Sequence, residues 1–424
     1  MSGRLGICIA AVNAPGYRSL AAGYLRAALT LDPRLGDVRV ASIDTDTGTD
    51  AWWTAFRLLE LDPAPDVVAM PVYCWSARHV YEAARVLKRA RPQVTIVLGG
   101  PEVGPQAREV LESHPYVDAV VRGEGERALP ELVWALSRGG DPGAVPGVTA
   151  RVEGAIVAGP DAEPIDGLDT IASPFAAGAT IATDGSAYIE TYRGCPHRCA
   201  YCYEGKGSTR IRSFGWDRIA GDIEAVASTP GMRSFSFIDP VFNLTNDRLE
   251  RLSDLLAPWA ARGVRLHTIE VDVERVDDDA AALLARAGVA SVETGPQTVG
   301  AAALATCSRS LDAEKFRAGI AACKRHGISV ECDLIIGLPG DTESDVLAGL
   351  DFVTSCDPGI VQVSTLHVLP GTALWQRADE LGIAFDPEPP HELISTPTIG
   401  FADLRRLEAL GRAAGVVYRA RIAP

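Results

Sequence analysis

The chain has 424 residues, of which 47% are hydrophobic and 22% are charged, and its formal net charge is −15 at pH 7. This length is sufficient for two ordinary domains with their connections, and the balance of residues is typical of a globular protein. The apolar runs are too short to span a bilayer, and an acidic chain without a basic stripe is not expected to bind the phosphate backbone of nucleic acids.

The N-terminal residues and the cysteines both bear on the cellular compartment. Residues 1–4 lack the shape of a signal peptide. Nine cysteines are present, an odd number, and apart from a triplet within residues 195–202 they are scattered along the chain. These observations predict a cytoplasmic protein whose thiols are reduced rather than paired in disulfides.

Residues 1–145 contain five apolar runs, each followed by a helical pattern. Strands are predicted at 5–12, 38–43, 66–72, 94–98 and 119–121, and helices at 19–30, 51–61, 76–90, 105–113 and 127–136. Strands that alternate with helices indicate a parallel sheet covered on both faces. We therefore predict a flavodoxin-like α/β domain, with its ligand beyond the carboxyl ends of the strands.

The residues after four of these strands are candidates for a ligand site. They are Asn13 after the first strand, Tyr73, Cys74 and Trp75 after the third, Gly99, Gly100 and Pro101 after the fourth, and Gly123, Glu124, Gly125 and Glu126 after the fifth. Glycines let the backbone approach a ligand closely. Any one loop is also explained by ordinary turn chemistry, and residues 73–75 are explained equally well as a packed strand end.

Residues 146–185 are rich in Gly, Pro, Ala and Asp, and this composition predicts a linker between domains. Alternating polar and apolar residues at 149–157 predict a small hairpin within it.

Residues 186–370 contain six further strand-like runs that are separated by helical patterns. The strands are predicted at 188–192, 234–238, 265–271, 291–294, 330–336 and 360–365, and the helices at 216–228, 246–261, 277–287, 312–326 and 343–355. Six strand–helix units predict an open, partial (β/α)6 barrel, with its site at the C-terminal ends of the strands. Residues 371–424 are predicted to be a C-terminal extension that ends in an amphipathic helix at 402–416.

Three cysteines, Cys195, Cys199 and Cys202, directly follow the first strand of this predicted barrel. Thiolates suit iron–sulfur clusters, and three of them would leave one iron of a four-iron cluster free. The alternatives are a zinc loop or buried structural cysteines. A structural zinc site usually closes with four ligands, and no second close Cys/His pair follows this loop.

The loop closely resembles the Cys-x-x-x-Cys-x-aromatic-Cys signature of radical S-adenosylmethionine (SAM) enzymes. The resemblance implies a 4Fe-4S cluster on the three cysteines, SAM on the free iron, and an external electron donor such as flavodoxin or ferredoxin. It also implies contacts to SAM from the strand ends. These are Tyr201 in the loop, Asp239 and Asn243 in a D-x-x-F-N form, Glu270, Glu293 and Gln297 in a form similar to E-x-G-x-Q, and Ile336 and Gly337 in a form similar to I-x-G-x-P-G.

The N-terminal loops, taken in this order, resemble the cobalamin-binding domain that precedes many radical SAM domains. Its recurrent "GGP" and "GEGE" sequences stand here at residues 99–101 and 123–126. The resemblance implies that the candidate residues of the four loops bind cobalamin. The Asp-x-His-x-x-Gly motif of many mutases is absent from the sequence, which implies that no protein histidine binds cobalt and that residues 73–75 face the lower side of the corrin.

The two resemblances cover residues 5–415 and imply a cobalamin-dependent radical SAM enzyme. The activity implied is methylation of an unactivated carbon of a small-molecule or natural-product intermediate, through methylcobalamin and a 5'-deoxyadenosyl radical. A cyclisation, ring contraction or rearrangement without methyl transfer is the alternative, because the motifs do not distinguish these outcomes. A methylthiotransferase is disfavoured by the lack of a second cysteine triplet and by the acidic charge, and a cobalamin sensor or carrier is disfavoured by the cysteine loop.

Overall fold

The computed structural model describes residues 4–176, 178, 187–204 and 210–422. The chain divides into two compact units, Met1–Asp184 and Gly185–Pro424. The C-terminal end of the predicted linker, at residues 179–185, lies outside the described residues. None of the helices in the described ranges combines the length and the apolar character that crossing a membrane requires.

Strands and helices alternate in the first unit. The strands are β1 (Gly6–Asn13), β2 (Arg39–Asp46), β3 (Val67–Pro71), β4 (Thr95–Gly99), β5 (Ala119–Val121), β6 (Val148–Val152) and β7 (Ala155–Ala158), and the helices are α1 (Leu20–Leu31), α2 (Ala51–Leu59), α3 (Ala77–Ala90), α4 (Ala107–Ser113) and α5 (Gly125–Ser137). The first five strands pair in parallel in the order β2-β1-β3-β4-β5. The predicted flavodoxin-like sheet is therefore confirmed. The predicted hairpin forms as β6, which is antiparallel to β5, and β7, which is antiparallel to β6.

Strand β1 lies between β2 and β3 and is buried along its whole length because helices cover both faces of the sheet. Successive side chains of a strand point to opposite faces. Cys8 accordingly packs in one hydrophobic core with Leu87 of α3. Ile7 and Ile9 pack in the other core with Leu132 of α5. The near-continuous apolar runs of the sequence are the consequence of this two-sided burial.

The order of the strands reverses between β1 and β3. The chain leaves β1 for β2 on one side of it and then returns to form β3 on the other side. At such a switch point the loops diverge and leave a crevice at the carboxyl ends of the strands. Asn13 ends β1 and residues 73–75 follow β3, so these candidate residues flank the switch point.

The second unit has the predicted strand–helix repeat. Its strands are β8 (Tyr188–Ile189), β9 (Tyr192–Arg193), β10 (Arg212–Ser213), β11 (Ser234–Phe237), β12 (Arg265–Leu266), β13 (Ile269–Glu270), β14 (Ser291–Gln297), β15 (Ser329–Ile336), β16 (Ile360–Thr365), β17 (Ala384–Phe385) and β18 (Leu393–Ser395). Its helices are α6 (Trp216–Ala227), α7 (Asn246–Ala260), α8 (Asp278–Arg286), α9 (Ala301–Thr306), α10 (Ala313–Arg325), α11 (Glu343–Ser355), α12 (Ala373–Gln376) and α13 (Phe401–Ile422).

The parallel strands of this unit follow chain order, as expected for a partial barrel. One sheet has the order β12-β11-β8 and another the order β13-β14-β15-β16. The predicted third strand is divided between the two sheets because Thr268 has a φ of +52°, which an extended strand does not allow. Its first half pairs with β11 and its second half with β14. The predicted partial barrel is confirmed.

The predicted C-terminal helix is α13, which packs against β16 at the side of this sheet. A Cβ at Gly411 would lie 2.6 Å from Cγ1 of Val363, so only a glycine allows this close approach. The helix thereby places its polar side chains beside the carboxyl end of β16.

The backbone at Gly100 provides a test of how the loop after β4 is built. Its φ is +111°, and a Cβ there would stand 2.6 Å from the carbonyl oxygen of Val72. Gly100→Ala is expected to lower the free energy of unfolding by about 2–4 kcal/mol, from left-handed backbone strain together with the steric conflict. Urea unfolding followed by circular dichroism measures this loss.

Gly139→Ala is the matched control, because Gly139 also has a positive φ (+67°) but has open space where the Cβ would stand. This variant is expected to lose only the backbone term, about 1–2 kcal/mol. Equal losses in the two variants would contradict the steric account of Gly100.

Candidate functional site

A cavity of about 220 Å³ opens at the carboxyl ends of β13 and β14 in the second unit. We call it the acidic cavity. Its lining includes the predicted residues Glu270, Glu293 and Gln297, together with His197, Arg309 and Asp333. The structure therefore brings together three of the predicted SAM residues and adds three that were not predicted.

Carboxylates crowd one face of the sheet beneath this cavity. Glu270 is directly opposite Glu293 in the register of β13 and β14, and Glu293 is opposite Glu331 of β15. Asp333 is two residues beyond Glu331 and so shares its face. Three adjacent strands thus bring four acidic groups onto one side of the sheet.

This crowding changes the protonation of the cavity. Burial in the cavity wall, and then the charges of Glu293 and Glu204, raise the pKa of Glu270 to about 7. Burial, the charge of Glu293 and a hydrogen bond to it raise the pKa of Asp333 well above its ordinary value. Because like charges at this separation cannot all ionise cheaply, the cavity retains a proton near neutral pH and favours a cationic ligand.

The predicted residues Asp239 and Asn243 are buried and do not line the cavity. One carboxylate oxygen of Asp239 accepts from the backbone N–H of Thr191 at 2.8 Å, and the other is 3.4 Å from the guanidinium of Arg248. The amide of Asn243 exchanges two hydrogen bonds with the backbone of Asp272, both at 2.9 Å. Direct contact of either residue with SAM stays a prediction, while the structure shows that both fix neighbouring loops.

The cysteine loop, residues 195–202, is held by its backbone. The N–H of Ala200 donates to the carbonyl of Cys307 at 3.0 Å, and its carbonyl accepts from the N–H of Leu374 at 2.9 Å. Cys195 is buried, and Cys199 and Cys202 are half-buried. Within the described residues, no group of three or more His, Cys, Asp or Glu side chains is placed to hold a single metal ion.

The thiols of the loop are close enough for their charges to interact. Burial is the main cause that raises the pKa of Cys195, and the charge of Cys199 adds to it. Burial and the charges of Glu204, Cys199 and Cys195 raise the pKa of Cys202 to about 12. Three thiolates in this loop therefore require a positively charged partner.

Arg309 connects the cysteine loop to β14, and the sequence motifs did not single it out. Its Nη1 donates to Sγ of Cys199 at 3.3 Å and to the hydroxyl of Tyr201 at 3.0 Å, and its Nη2 donates to the carbonyl of Gly295 at 2.9 Å. The contact joins residues 110 positions apart in sequence. A local motif could not have indicated it.

A second cavity, of about 490 Å³, lies beside α13, and we call it the α13 cavity. Its lining includes Tyr201, Ile335, Thr365, His367, Arg405 and Glu408. The predicted residue Ile336 packs instead in a hydrophobic core that includes Leu393. The predicted residue Gly337 lies against the side chain of the same leucine. Since alternate residues of a strand face opposite sides, Ile335 is the residue of this motif whose side chain reaches a cavity.

The candidate residues that flank the switch point of the first unit include two stacked aromatic rings and a buried amide. The rings of Tyr73 and Trp75 stack with centroids 4.5 Å apart, and Trp75 is 57% exposed. The amide of Asn13 donates to the carboxylate of Asp44 at 2.9 Å. Burial and the charge of a nearby glutamate raise the pKa of Cys74 to about 11, so its thiol is neutral at physiological pH.

The remaining candidate residues of this unit lie after β4 and β5. Gly99 ends β4, and Gly100 and Pro101 follow it. The loop of residues 123–126 leads into α5, and Glu124 accepts from the backbone N–H of Ile165 at 2.6 Å. Since β3, β4 and β5 are parallel neighbours, all these loops emerge at the same edge of the sheet.

Comparison with protein families assigns a different family to each of the two units of the chain. The model of the Radical SAM superfamily matches residues 189–353, and that of the B12 binding domain matches residues 38–133. These two families give the cofactors of the chain as SAM with a 4Fe-4S cluster and cobalamin.

Three known proteins illustrate the similarity. The cobalamin-dependent radical SAM methyltransferase TokK of Streptomyces tokunonensis is 37% identical over 171 residues, which are 38% of this chain and 25% of TokK. The anaerobic magnesium-protoporphyrin IX monomethyl ester cyclase of Rubrivivax gelatinosus is 24% identical over 88% of this chain and 67% of the cyclase. The radical SAM methyltransferase TsrM from Kitasatospora setae has the same fold, with a TM-score of 0.73 and 20% identity, over 95% of this chain and 83% of TsrM.

The raised pKa of Asp333 leads to a prediction of how the free energy of unfolding depends on pH. Its folded pKa is raised above the ordinary value of 3.8, so the folded protein retains a proton that the unfolded chain has lost. The stability of the cofactor-free protein should therefore fall as pH rises from 6 to 8.5, with Asp333 contributing up to about 1.4 kcal/mol per pH unit. Urea unfolding at several pH values should show a shallower fall for Asp333→Asn.

Asp351→Asn is the control, because Asp351 is exposed on α11. Its slope with pH is expected to equal that of the wild type. If Asp333→Asn keeps the wild-type slope as well, the carboxylates of the acidic cavity do not retain the proton.

Proposed function

The chain belongs to the radical SAM superfamily and carries a B12 binding domain ahead of its radical SAM domain, and we propose that this enzyme methylates an unactivated carbon of a small-molecule or natural-product intermediate. The observation that carries the proposal is the cysteine loop hydrogen-bonded to the wall of an acidic cavity, in a chain that also has a B12 binding domain. The similarity to TokK and TsrM, both named as methyltransferases, supports it.

We propose that Cys195, Cys199 and Cys202 hold the 4Fe-4S cluster. The donor set fits, because the loop presents three soft ligands whose thiolate charges repel one another and need a cationic partner. Three ligands leave one iron for SAM. When bound, the cluster, SAM and cobalamin supply the radical and the methyl group, and the protein binds and orients them.

The acidic cavity fits the two cationic groups of SAM, which are its sulfonium and its ammonium group. Glu270, Glu293 and Asp333 provide the opposite charge, and a cationic ligand there would displace their retained proton. Glu293 and Gln297 are suited to accept hydrogen bonds from ribose hydroxyls. The aromatic ring of Tyr201 and the apolar side chain of Ile335, in the α13 cavity, offer surfaces on which adenine could pack.

The buried residues Asp239 and Asn243 would then act on SAM through the loops that they hold. Asn243 fixes the backbone of Asp272, whose side chain lines the acidic cavity. Asp239 fixes Thr191, which lies four residues before Cys195. Both predicted roles thus become positioning roles in this proposal.

The first unit fits cobalamin by its shape. The stacked rings of Tyr73 and Trp75 follow β3 at the switch point and offer a flat apolar surface to a corrin. The tight turn at Gly100 lets backbone groups approach the ligand. The neutral thiol of Cys74 places no negative charge near cobalt. A structure of TsrM with cobalamin and a 4Fe-4S cluster bound supports the same pairing of cofactors.

The partners follow from the same proposal. A reduced cluster requires a one-electron donor, for which flavodoxin or ferredoxin is suitable. The substrate is proposed to be small, and TsrM, whose structure holds tryptophan as substrate, gives a precedent. Ring closure without methyl transfer is the second candidate, because the similarity to the magnesium-protoporphyrin cyclase extends over 88% of this chain.

The cluster assignment predicts the behaviour of a triple variant. After anaerobic reconstitution, the wild type should bind about four irons and four sulfides per chain and form 5'-deoxyadenosine from SAM under reducing conditions. The variant with Cys195, Cys199 and Cys202 all changed to Ala should do neither. Cys356→Ala removes a half-buried thiol of another region and should behave as the wild type. Retention of iron and sulfide by the triple variant would refute the assignment.

Methyl transfer is separated from the alternative by the fate of SAM. The reconstituted enzyme with cobalamin and reductant should produce both S-adenosylhomocysteine and 5'-deoxyadenosine, and omission of cobalamin should abolish only the former.

Trp75→Ala should weaken cobalamin binding by about two- to tenfold, because the apolar ring surface is lost. Trp52→Ala is the control, since Trp52 is equally exposed on α2. In the experiment on the fate of SAM, production of 5'-deoxyadenosine without S-adenosylhomocysteine would favour a radical reaction without methyl transfer.

A further inference from the structure

We propose that Arg309 raises the reduction potential of the cluster by donating an N–H···S hydrogen bond to Cys199. The inference rests on the proposed 4Fe-4S cluster and deepens it, because it names a group of this chain that controls how readily the cluster accepts an electron.

Arg309 is half-buried, and its contacts are unusual for a guanidinium in such a position. Its hydrogen-bond partners are the thiol of Cys199, the hydroxyl of Tyr201 and the carbonyl of Gly295. In the part of the chain that the structure describes, Nε of Arg309 is buried without a hydrogen-bond partner, and no carboxylate lies within ion-pair distance of the side chain. Buried arginines are normally paired with an anion, since an uncompensated buried charge is costly.

A cluster on the cysteine loop would bring negative charge into direct contact with this guanidinium, which the carboxylates of the acidic cavity do not do. A guanidinium is protonated at all physiological pH values, so Arg309 is a permanent cation. As a thiolate ligand of a cluster, Cys199 would form a charge-assisted hydrogen bond with it. The side chain is therefore placed for a loaded loop rather than for free thiols.

The backbone holds Arg309 in this position from two sides. Its N–H donates to the carbonyl of Leu304 in α9 at 2.8 Å. Two residues earlier, the carbonyl of Cys307 accepts from the N–H of Ala200 in the cysteine loop. Between them, Ser308 has a φ of +56°, which turns the chain sharply after α9. The donor and the acceptor of the N–H···S bond thus belong to one fixed assembly.

Reduction makes this hydrogen bond stronger. The external donor loses one electron and the cluster gains it, and no proton is transferred. The added negative charge is spread over iron, sulfide and the thiolates, so a nearby cation and N–H donor stabilise the reduced state more than the oxidised state.

The test is a potentiometric titration of the reconstituted full-length enzyme without SAM, followed by electron paramagnetic resonance. Arg309→Met removes the charge and the donors at similar length, and Arg309→Lys keeps the charge but loses the planar fork. At the wild-type midpoint potential, the ratio of reduced to oxidised cluster in Arg309→Met should fall about tenfold, which is 59 mV for one electron. The midpoint potential of Arg309→Lys should lie between those of the wild type and Arg309→Met. Arg286→Met breaks an exposed ion pair with Asp254 and should keep the wild-type midpoint potential.

Each outcome decides the inference. A wild-type midpoint in Arg309→Met at full iron content would overturn it. Because the titration contains no SAM, a shifted midpoint cannot be due to the loss of a contact between Arg309 and SAM. If Arg309→Met loses its cluster, Arg309→Lys decides, because an unshifted midpoint overturns the inference and a more negative one supports it. A wild type that binds no cluster would overturn the proposed function itself, and the inference with it.

Discussion

The second unit depends on compensation of negative charge at the carboxyl ends of its parallel strands. The register of β13, β14 and β15 brings Glu270, Glu293 and Glu331 side by side, and the cysteine loop adds three thiols nearby. Burial together with neighbouring negative charges raises the pKa of Glu270 and of Cys202, so neither set ionises fully unless a cation is bound. An arrangement that is unfavourable for the cofactor-free protein is thus suited to cationic ligands, and Arg309 lies where the two sets meet.

The candidate site of the first unit is defined by its shape, whereas that of the second unit is defined by its charges. Its candidate site arises from topology, because the reversal of strand order between β1 and β3 separates the loops at one edge of the sheet. The stacked rings of Tyr73 and Trp75 and the close backbone at Gly100 then form its surface. A large, flat and amide-rimmed ligand such as a corrin needs area and backbone contacts, and strong charges would contribute little to its binding.

The sequence was sufficient for the architecture but not for all of the site. Periodic apolar runs predicted the parallel strands, since two-sided burial leaves a clear pattern, and the cysteine spacing predicted the loop. The break of the third barrel strand at Thr268 has no such signal, because a positive φ at a threonine is set by its surroundings. Arg309 and Asp333 enter the site through contacts with distant residues. Ile335 rather than Ile336 reaches a cavity because motif resemblance does not specify which face of a strand a residue occupies.

The buried motif residues show how the cysteine loop and the acidic cavity are held together. Asp239, after β11, accepts from the backbone N–H of Thr191 just before β9, the strand that leads into the cysteine loop. Asn243, four residues later, clamps the backbone of Asp272 at the cavity wall. One short segment therefore fixes both the start of the loop and the edge of the cavity. Because the two share this support, a change in residues 239–243 displaces the thiols and the carboxylates together, although neither side chain lines the cavity.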